Sequence, residues 1–107
     1  MEFNRETVLT AIYQAVEEKG YTYVGPCGML TQPDGSHCLV GEVLARTTAP
    51  LPQYGEPGNQ SYGKAVIDRM KAQGIKVAAS VEGMFDRIGK MQDAGHCWGY
   101  IYSSVRY

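Results

Sequence analysis

Residues 4–20 have the sequence NRETVLTAIYQAVEEKG and predict the best-defined element of the chain. Asn4 is a favourable N-cap, and Gly20 can adopt the left-handed conformation that commonly ends a helix. Between these two residues the apolar side chains recur at spacings of three and four, namely Val8, Leu9, Ile12, Tyr13 and Val16. The segment therefore predicts an amphipathic helix whose apolar face packs on a core.

Residues 21–38 follow this helix and predict a small β-hairpin. Residues 21–24 (YTYV) are rich in aromatic and β-branched side chains, and residues 29–31 (MLT) supply a second short strand. Residues 32–35 (QPDG) are typical of a tight turn, because Pro fixes φ, Asp bonds to nearby backbone and Gly accepts positive φ.

Three further stretches carry apolar residues at helical spacing. Ser36, Ser61 and Ser80 are the candidate N-caps of these helices, and Gly74 and Gly95 are expected to end the last two. Together with the first helix they make the main body of the predicted fold.

The connecting segments are less regular. Residues 75–78 predict a brief strand or an extended connector. Residues 48–61, with three prolines, predict a surface loop of the kind that often carries function. Residues 98–107 are compatible with a strand or a helix, and we favour the helix. The expected fold is one compact α+β domain over residues 1–107, with three or four helices packed around the hairpin.

Composition limits the classes of function. The 107 residues include 10 Lys and Arg against 11 Asp and Glu, which gives a net charge of −1 and disfavours nucleic-acid binding. No apolar run approaches the roughly 18 residues of a membrane span. The N-terminus lacks the basic and then apolar order of a secretory signal, so we expect a cytoplasmic protein without membrane contact.

Zinc binding is one alternative that the sequence raises. Five potential ligands are present: Cys27, His37, Cys38, His96 and Cys97. Zinc sites use four N or S ligands, commonly with two of them separated by two to four residues. Ten residues separate the first two Cys, and adjacent His and Cys side chains usually point in different directions. We therefore expect no cofactor and keep zinc as the alternative.

A thiol-dependent hydrolase is the second alternative. Cys38 is expected near the start of a helix, where the helix dipole lowers a thiol pKa, and His96 would act as its base. In this order of residues alone the chain resembles papain-like cell-wall endopeptidases of the NlpC type. No residue after His96 is placed to orient its ring.

Two longer motifs carry a different resemblance. Residues 27–44 combine a Cys, an Asp-Gly turn and Cys-Leu-Val-Gly, and residues 92–98 have the pattern Gln-Asp-x-Gly-x-x-Trp. The combination resembles small uncharacterised proteins of actinobacteria and their phages. In that family two Cys and the Trp recur, whereas other residues stand at positions 37, 96 and 97. The resemblance implies a structural role for Cys27, Cys38 and Trp98.

The sequence as a whole favours a non-catalytic accessory or interaction protein, plausible for a phage, that binds a host protein or a small ligand. Tyr and Trp are enriched where binding energy concentrates. The predicted contact residues lie in the loop and in the C-terminal segment: Tyr54, Tyr62, Tyr100, Tyr102 and Tyr107. Paired aromatic surfaces would also permit a two-fold homodimer.

Overall fold

A computed structural model describes residues 2–26, 28–47, 51–56, 59 and 64–106. Within these residues the chain forms five helices and two short strands. Their order is β1 (Glu2–Phe3), α1 (Arg5–Lys19), α2 (Leu39–Ala45), α3 (Lys64–Ala72), β2 (Lys76–Val77), α4 (Ala79–Asp93) and α5 (Trp98–Val105). None of the described helices has the length and apolarity needed to cross a bilayer.

The predicted ends of α1 are confirmed. The side-chain oxygen of Asn4 accepts a hydrogen bond from the Thr7 N–H at 3.0 Å, which satisfies one of the unpaired donors of the first turn. Gly20 has a φ of 100° and donates its N–H to Val16 at 2.8 Å. Both signals act within a few residues, so the sequence alone determines where this helix begins and ends.

The predicted hairpin over residues 21–38 is wrong. Residues 21–22 form a turn and residues 23–24 have no regular secondary structure. The described pairing within the region is one antiparallel bridge between Thr31 and His37. The turn between these two residues does form, with Gly35 at a φ of 90°. The sheet lies elsewhere: β1 and β2 pair in parallel, with Glu2 opposite Lys76 and Phe3 opposite Val77.

Two predicted helix starts are also wrong, and the described part of the chain forms five helices where three or four were expected. The N-cap of α2 is Cys38, because Ser36 instead donates its hydroxyl to the Asp34 carboxylate at 2.7 Å within the turn. The N-cap of α4 is Ala78, two residues before Ser80. The predicted N-cap Ser61 lies outside the described residues.

Other expectations for the second half of the chain are confirmed. Residues 76–77 form a strand, and residues 98–105 form a helix. Gly74 and Gly95 follow α3 and α4 with φ values of 82° and 86°, the conformation that favours glycine after a helix.

One apolar core joins all of these elements. The rings of Phe3 and Phe85 meet edge to face with centroids 6.1 Å apart, which anchors the small sheet to α4. Cys38 and Trp98 are members of the same buried cluster. A chain of this size buries only a modest core, so each close contact counts.

The irregular loop is attached to this core by a buried amide. The side chain of Asn59 accepts from the Thr31 N–H at 2.8 Å and donates to the Thr31 carbonyl at 2.9 Å, as a neighbouring strand would. The Thr31 hydroxyl donates to the carbonyl of Pro52 at 2.7 Å. Because buried polar groups need partners, these bonds hold residues 52 and 59 against the turn.

An ion cluster links α1 to α2. The guanidinium of Arg46 contacts the carboxylate of Glu18 at 2.6 Å and that of Glu42 at 3.0 Å. The hydrogen bond and the charge of Arg46 hold the pKa of Glu18 below its ordinary value.

The lowered pKa of Glu18 predicts an acid-dependent contribution to stability. A carboxyl whose pKa is lower in the folded state stabilises the fold above its unfolded pKa, about 4.5 here, and loses that contribution as the pH falls through the lower folded value. The substitution Glu18→Gln should therefore lower the free energy of unfolding at pH 7 and have no effect below the folded pKa. Urea titrations from pH 7 to pH 2 measure this. A difference that persists unchanged at acid pH, or that survives 1 M salt at full size, would contradict it.

At Gly41, in α2, the backbone of another segment lies very close to the helix. A Cβ atom placed there would overlap the carbonyl oxygen of Leu30. The contact holds the segment before the Asp-Gly turn against α2, because only glycine leaves room for it.

The substitution Gly41→Ala should destabilise the protein by about 3 kcal/mol, since the added methyl group forces the two backbones apart. Gly83 is the matched control: it lies in α4 with nothing within 4 Å of an added Cβ. There, Gly83→Ala should stabilise the protein by about 0.5–1 kcal/mol through higher helix propensity. Denaturant unfolding compares the two. Equal stability of Gly41→Ala and the wild type would refute the close contact.

Candidate functional site

Cys38 lies inside the core and not in a cleft. Its side chain is 0% exposed, and its sulfur accepts a hydrogen bond from the Gly41 N–H at 3.4 Å. His96 is exposed, and its ring stacks on that of Tyr100 with centroids 4.4 Å apart. The arrangement does not bring an open thiol and an imidazole together. It gives Cys38 the surroundings of a packing residue.

The other potential zinc ligands lie in different places. Nδ1 of His37 is 3.2 Å from the Leu30 carbonyl oxygen, and Cys97 is the partly exposed N-cap of α5. Cys27 lies outside the described residues. Among the residues that are described, no group of three or more His, Cys, Asp or Glu side chains is placed to hold a metal ion.

Gln92 connects the motif of residues 92–98 with the motif of residues 27–44, although the two are far apart in the sequence. Its side-chain oxygen accepts a hydrogen bond from the Leu39 N–H, a donor in the first turn of α2, while its Nε2 is buried without a hydrogen-bond partner. The Gln of the second motif thus caps the helix of the first motif from 53 residues away. Its position within the apolar face of α4 gave no signal for this role, because a single Gln at helical spacing is usually a solvent-facing residue.

The start of α5 is held by residues 21–26. The N–H groups of Trp98 and Gly99 donate to the carbonyls of Tyr23 at 2.8 Å and Tyr21 at 2.9 Å. These two donors are among those that a helix leaves unpaired at its N-terminus. The segment therefore acts as a backbone cap of α5.

Side chains reinforce this cap. The ring of Tyr23 meets the edge of Trp98 with centroids 4.7 Å apart, and a Cβ on Gly25 would overlap the Trp98 indole. A Cβ on Gly99 would overlap the ring of Tyr21, so that ring lies directly on the backbone of α5. Because Gly25 and Gly99 have no Cβ, the rings of Trp98 and Tyr21 can lie against the backbone at these two positions.

This packing produces an exposed surface of aromatic rings, which we name the tyrosine face (Tyr13, Tyr21 and Tyr102). Tyr13 on α1 is 50% exposed, and its ring lies 5.8 Å from that of the partly buried Tyr102 on α5. Tyr21 is 56% exposed and covers Gly99, which is one turn before Tyr102 on the same helix face. The rings of Tyr13 and Tyr102 are therefore neighbours, and the ring of Tyr21 lies on the first turn of the helix that carries Tyr102.

Charged groups border the tyrosine face. Glu17 forms a hydrogen bond with the Tyr13 phenol, and this bond and the carboxylate charge raise the pKa of Tyr13 above its ordinary value. The Arg106 guanidinium lies 5.7 Å from the centroid of the Tyr102 ring. The face thus combines apolar rings with one acidic and one basic group at its border.

The predicted contact tyrosines do not form one group. Tyr102 belongs to the tyrosine face, whereas Tyr100, 46% exposed, stacks on His96, and residues two positions apart point to different sides of a helix. Tyr54 is 57% exposed in the loop. Tyr62 and Tyr107 lie outside the described residues.

Two tyrosines of the face were missed by the sequence analysis. Tyr13 counted as part of the apolar stripe of α1, and Tyr21 as part of a strand. The stripe does hold a signal, since Tyr13 follows Ile12 at the edge of the apolar arc and tyrosine tolerates a half-exposed position. The place of Tyr21 depends on α5, which is far away in the sequence.

An open groove of about 740 Å³ runs between α1 and the end of α2. Its lining is polar and includes Asn4, Glu6, Thr7, Thr10, Gln14, Arg46 and Thr47, beside two alanines. Arg46 is engaged by Glu18 and Glu42, so its charge is compensated before any ligand enters. Small-molecule sites are usually apolar and concave, and this groove lacks that character.

No family model, no curated protein and no solved structure matches this chain. The resemblance to actinobacterial and phage proteins therefore stays a prediction.

The burial of Cys38 predicts its reactivity. Iodoacetamide at neutral pH should modify the partly exposed Cys97 in the native protein, whereas Cys38 should react only in denaturant. Peptide mass spectrometry separates the two sites, so Cys97 serves as the internal control. Modification of native Cys38 at the rate of Cys97 would revive the thiol-hydrolase alternative.

Proposed function

We propose that this protein is a non-catalytic interaction protein that binds a protein partner through the tyrosine face. The observation that carries the proposal is the Tyr13–Tyr102 ring pair between α1 and α5, with the exposed ring of Tyr21 lying on Gly99 at the start of α5. Tyrosine contributes a large contact area with only two side-chain torsions to immobilise, so it binds at a low cost in entropy.

The rigidity of the support favours binding by this face. Tyr21 lies on the backbone of α5, and its own carbonyl accepts the Gly99 N–H at 2.9 Å. A surface that is already ordered avoids part of the entropy that a flexible loop loses on binding. The loop residue Tyr54 has no comparable support among the described contacts, and we assign it no role in the interface.

The core supports a role without bond-making chemistry. The Cys38 thiol is enclosed by apolar side chains, and a nucleophile must reach the substrate atom that it attacks. We place the protein in the cytoplasm, in line with its odd number of cysteines. The resemblance to phage proteins favours a host protein as the partner.

The proposal predicts that truncating one side chain of the tyrosine face weakens binding of the partner. With the purified partner, Tyr13→Ser should weaken binding about thirtyfold, because truncating a central interface residue costs about 2 kcal/mol. Tyr54→Ser is the matched control, since that tyrosine has a similar exposure outside the face. Affinity capture with the wild type and both variants identifies the partner, and calorimetry measures the dissociation constants.

Two results would contradict the proposal. One is equal affinity of the wild type and Tyr13→Ser for every partner that the wild type captures. The other is a captured small molecule whose binding perturbs the α1–α2 groove and leaves the tyrosine face unchanged in NMR spectra. Thermal unfolding of Tyr13→Ser verifies that the variant is folded.

A further inference from the structure

We propose that residues 21–26 form a strap that opens and closes over the start of α5 while the rest of the fold stays intact. The strap is a conformational device that controls whether Trp98 is shielded from water and whether Tyr21 lies on α5. Three of its features support this role: its residues are not buried, few bonds attach it to α5, and it covers an unpaired hydrogen-bond donor.

The strap is attached to the fold by few contacts. None of its residues is buried, and the side chains of Tyr21 and Val24 are each 56% exposed. Its described hydrogen bonds to α5 are the two that its carbonyls accept from the N–H groups of Trp98 and Gly99. A segment with few buried apolar contacts opens at a lower free energy than the core of a protein.

The strap covers the polar edge of a buried indole. Trp98 is 1% exposed, and its Nε1 has no hydrogen-bond partner among the described residues. Nε1 is also one of the three atoms nearest to the place of a Cβ on Gly25, so the N–H edge of the ring lies under the strap. A buried donor without a partner raises the free energy of the closed form, and water reaches this donor when the strap opens.

The remainder of α5 has contacts that do not involve the strap. Ile101 and Val105 are 0% exposed, and the Ile101 N–H donates to the Cys97 carbonyl at 3.1 Å. At the other end of α5, the Arg5 guanidinium donates to the Val105 carbonyl at 2.8 Å. Opening of the strap therefore breaks its own two bonds and leaves the rest of the helix packed on the core.

The closed strap remains the major form, and the open form is a minor conformation of the kind that is populated at about 0.1–10%. An open molecule lacks Tyr21 on Gly99, whereas Tyr13 and Tyr102 keep their contact. A partner that touches all three rings would bind the closed form and shift the population toward it. This last consequence rests on the proposed function, while the opening itself does not.

Native-state hydrogen exchange followed by NMR tests the strap in the wild-type protein. After correction for intrinsic rates, the N–H groups of Trp98 and Gly99 should exchange at least tenfold faster than that of Ile101. Their exchange should depend only weakly on urea, because opening exposes little surface. Ile101 is the matched control, since melting of the whole of α5 would release all three groups together. A common exchange rate for Gly99 and Ile101 overturns the inference.

An analogue of Trp98 tests the unpaired donor. Trp98 is the only tryptophan of the chain, so biosynthetic incorporation of the benzothiophene analogue replaces one indole N–H by sulfur and changes no other position. The Gly99 N–H should then exchange about tenfold more slowly, because the closed form no longer buries a donor without a partner. Unchanged or faster exchange of this group in the analogue overturns the inference.

The substitution Gly25→Ala should have the opposite effect, because the added methyl group would overlap the Trp98 indole. The Trp98 emission should shift to the red, and the Gly99 N–H should exchange at least tenfold faster, while circular dichroism shows that the helices are retained. Gly83→Ala is the matched control, with nothing within 4 Å of its added Cβ, and should leave the emission unchanged. Wild-type emission in Gly25→Ala overturns the inference, as does loss of the helical signal together with the shift.

The failure of this inference is distinguishable from the failure of the proposed function. Slow exchange at Gly99, together with partner binding that depends on Tyr13, eliminates the opening of the strap and retains the interface. Fast exchange at Gly99, together with partner binding that ignores Tyr13, retains the strap and eliminates the interface.

Discussion

The hydrogen bonds from the Trp98 and Gly99 N–H groups to the carbonyls of Tyr23 and Tyr21 are the constraint on which the surface of this protein depends. Helix α5 has 8 residues, and a helix of that length is marginal in water without tertiary support. The two bonds satisfy donors that would otherwise be left unpaired beside a buried Trp. They also fix the backbone of residues 21–26, and this places the ring of Tyr21 on Gly99 and that of Tyr23 against Trp98.

The same constraint explains where prediction from the sequence ended. The limits of α1 could be predicted because Asn4 and Gly20 act on atoms within four residues. Residues 21–24 have strand-like composition, yet two of their carbonyls accept hydrogen bonds from α5, and composition carries no information about partners 75 and 78 residues away. The pairing of β1 with β2 could not be predicted for the same reason, since no local signal connects Phe3 to Val77.

The candidate site was predictable to a similar extent. Tyr102 could be named because aromatic residues in the C-terminal segment suggested a contact surface, whereas the choice of Tyr13 and Tyr21 as its neighbours required the packing of α1 and α5. The motif residues behaved differently. Gln92 and Leu39 belong to two stretches that the sequence singled out, and they meet through one hydrogen bond in the core. Distinctive motifs of this chain are thus joined by folding.

The tyrosine face lies on α5, a short helix that depends on contacts with residues 21–26, and this location has a thermodynamic consequence. Any partner that binds only the folded arrangement stabilises it by mass action. Tyr102 belongs to α5 and the ring of Tyr21 packs on Gly99 of α5, so the positions of both rings depend on the order of this helix. Loss of the α5 cap would separate Tyr21 from Tyr102 while Tyr13 stayed on the longer α1. Binding at this face and order in α5 are therefore linked in both directions: a partner that covers the rings holds the cap closed, and a closed cap presents the rings as one surface.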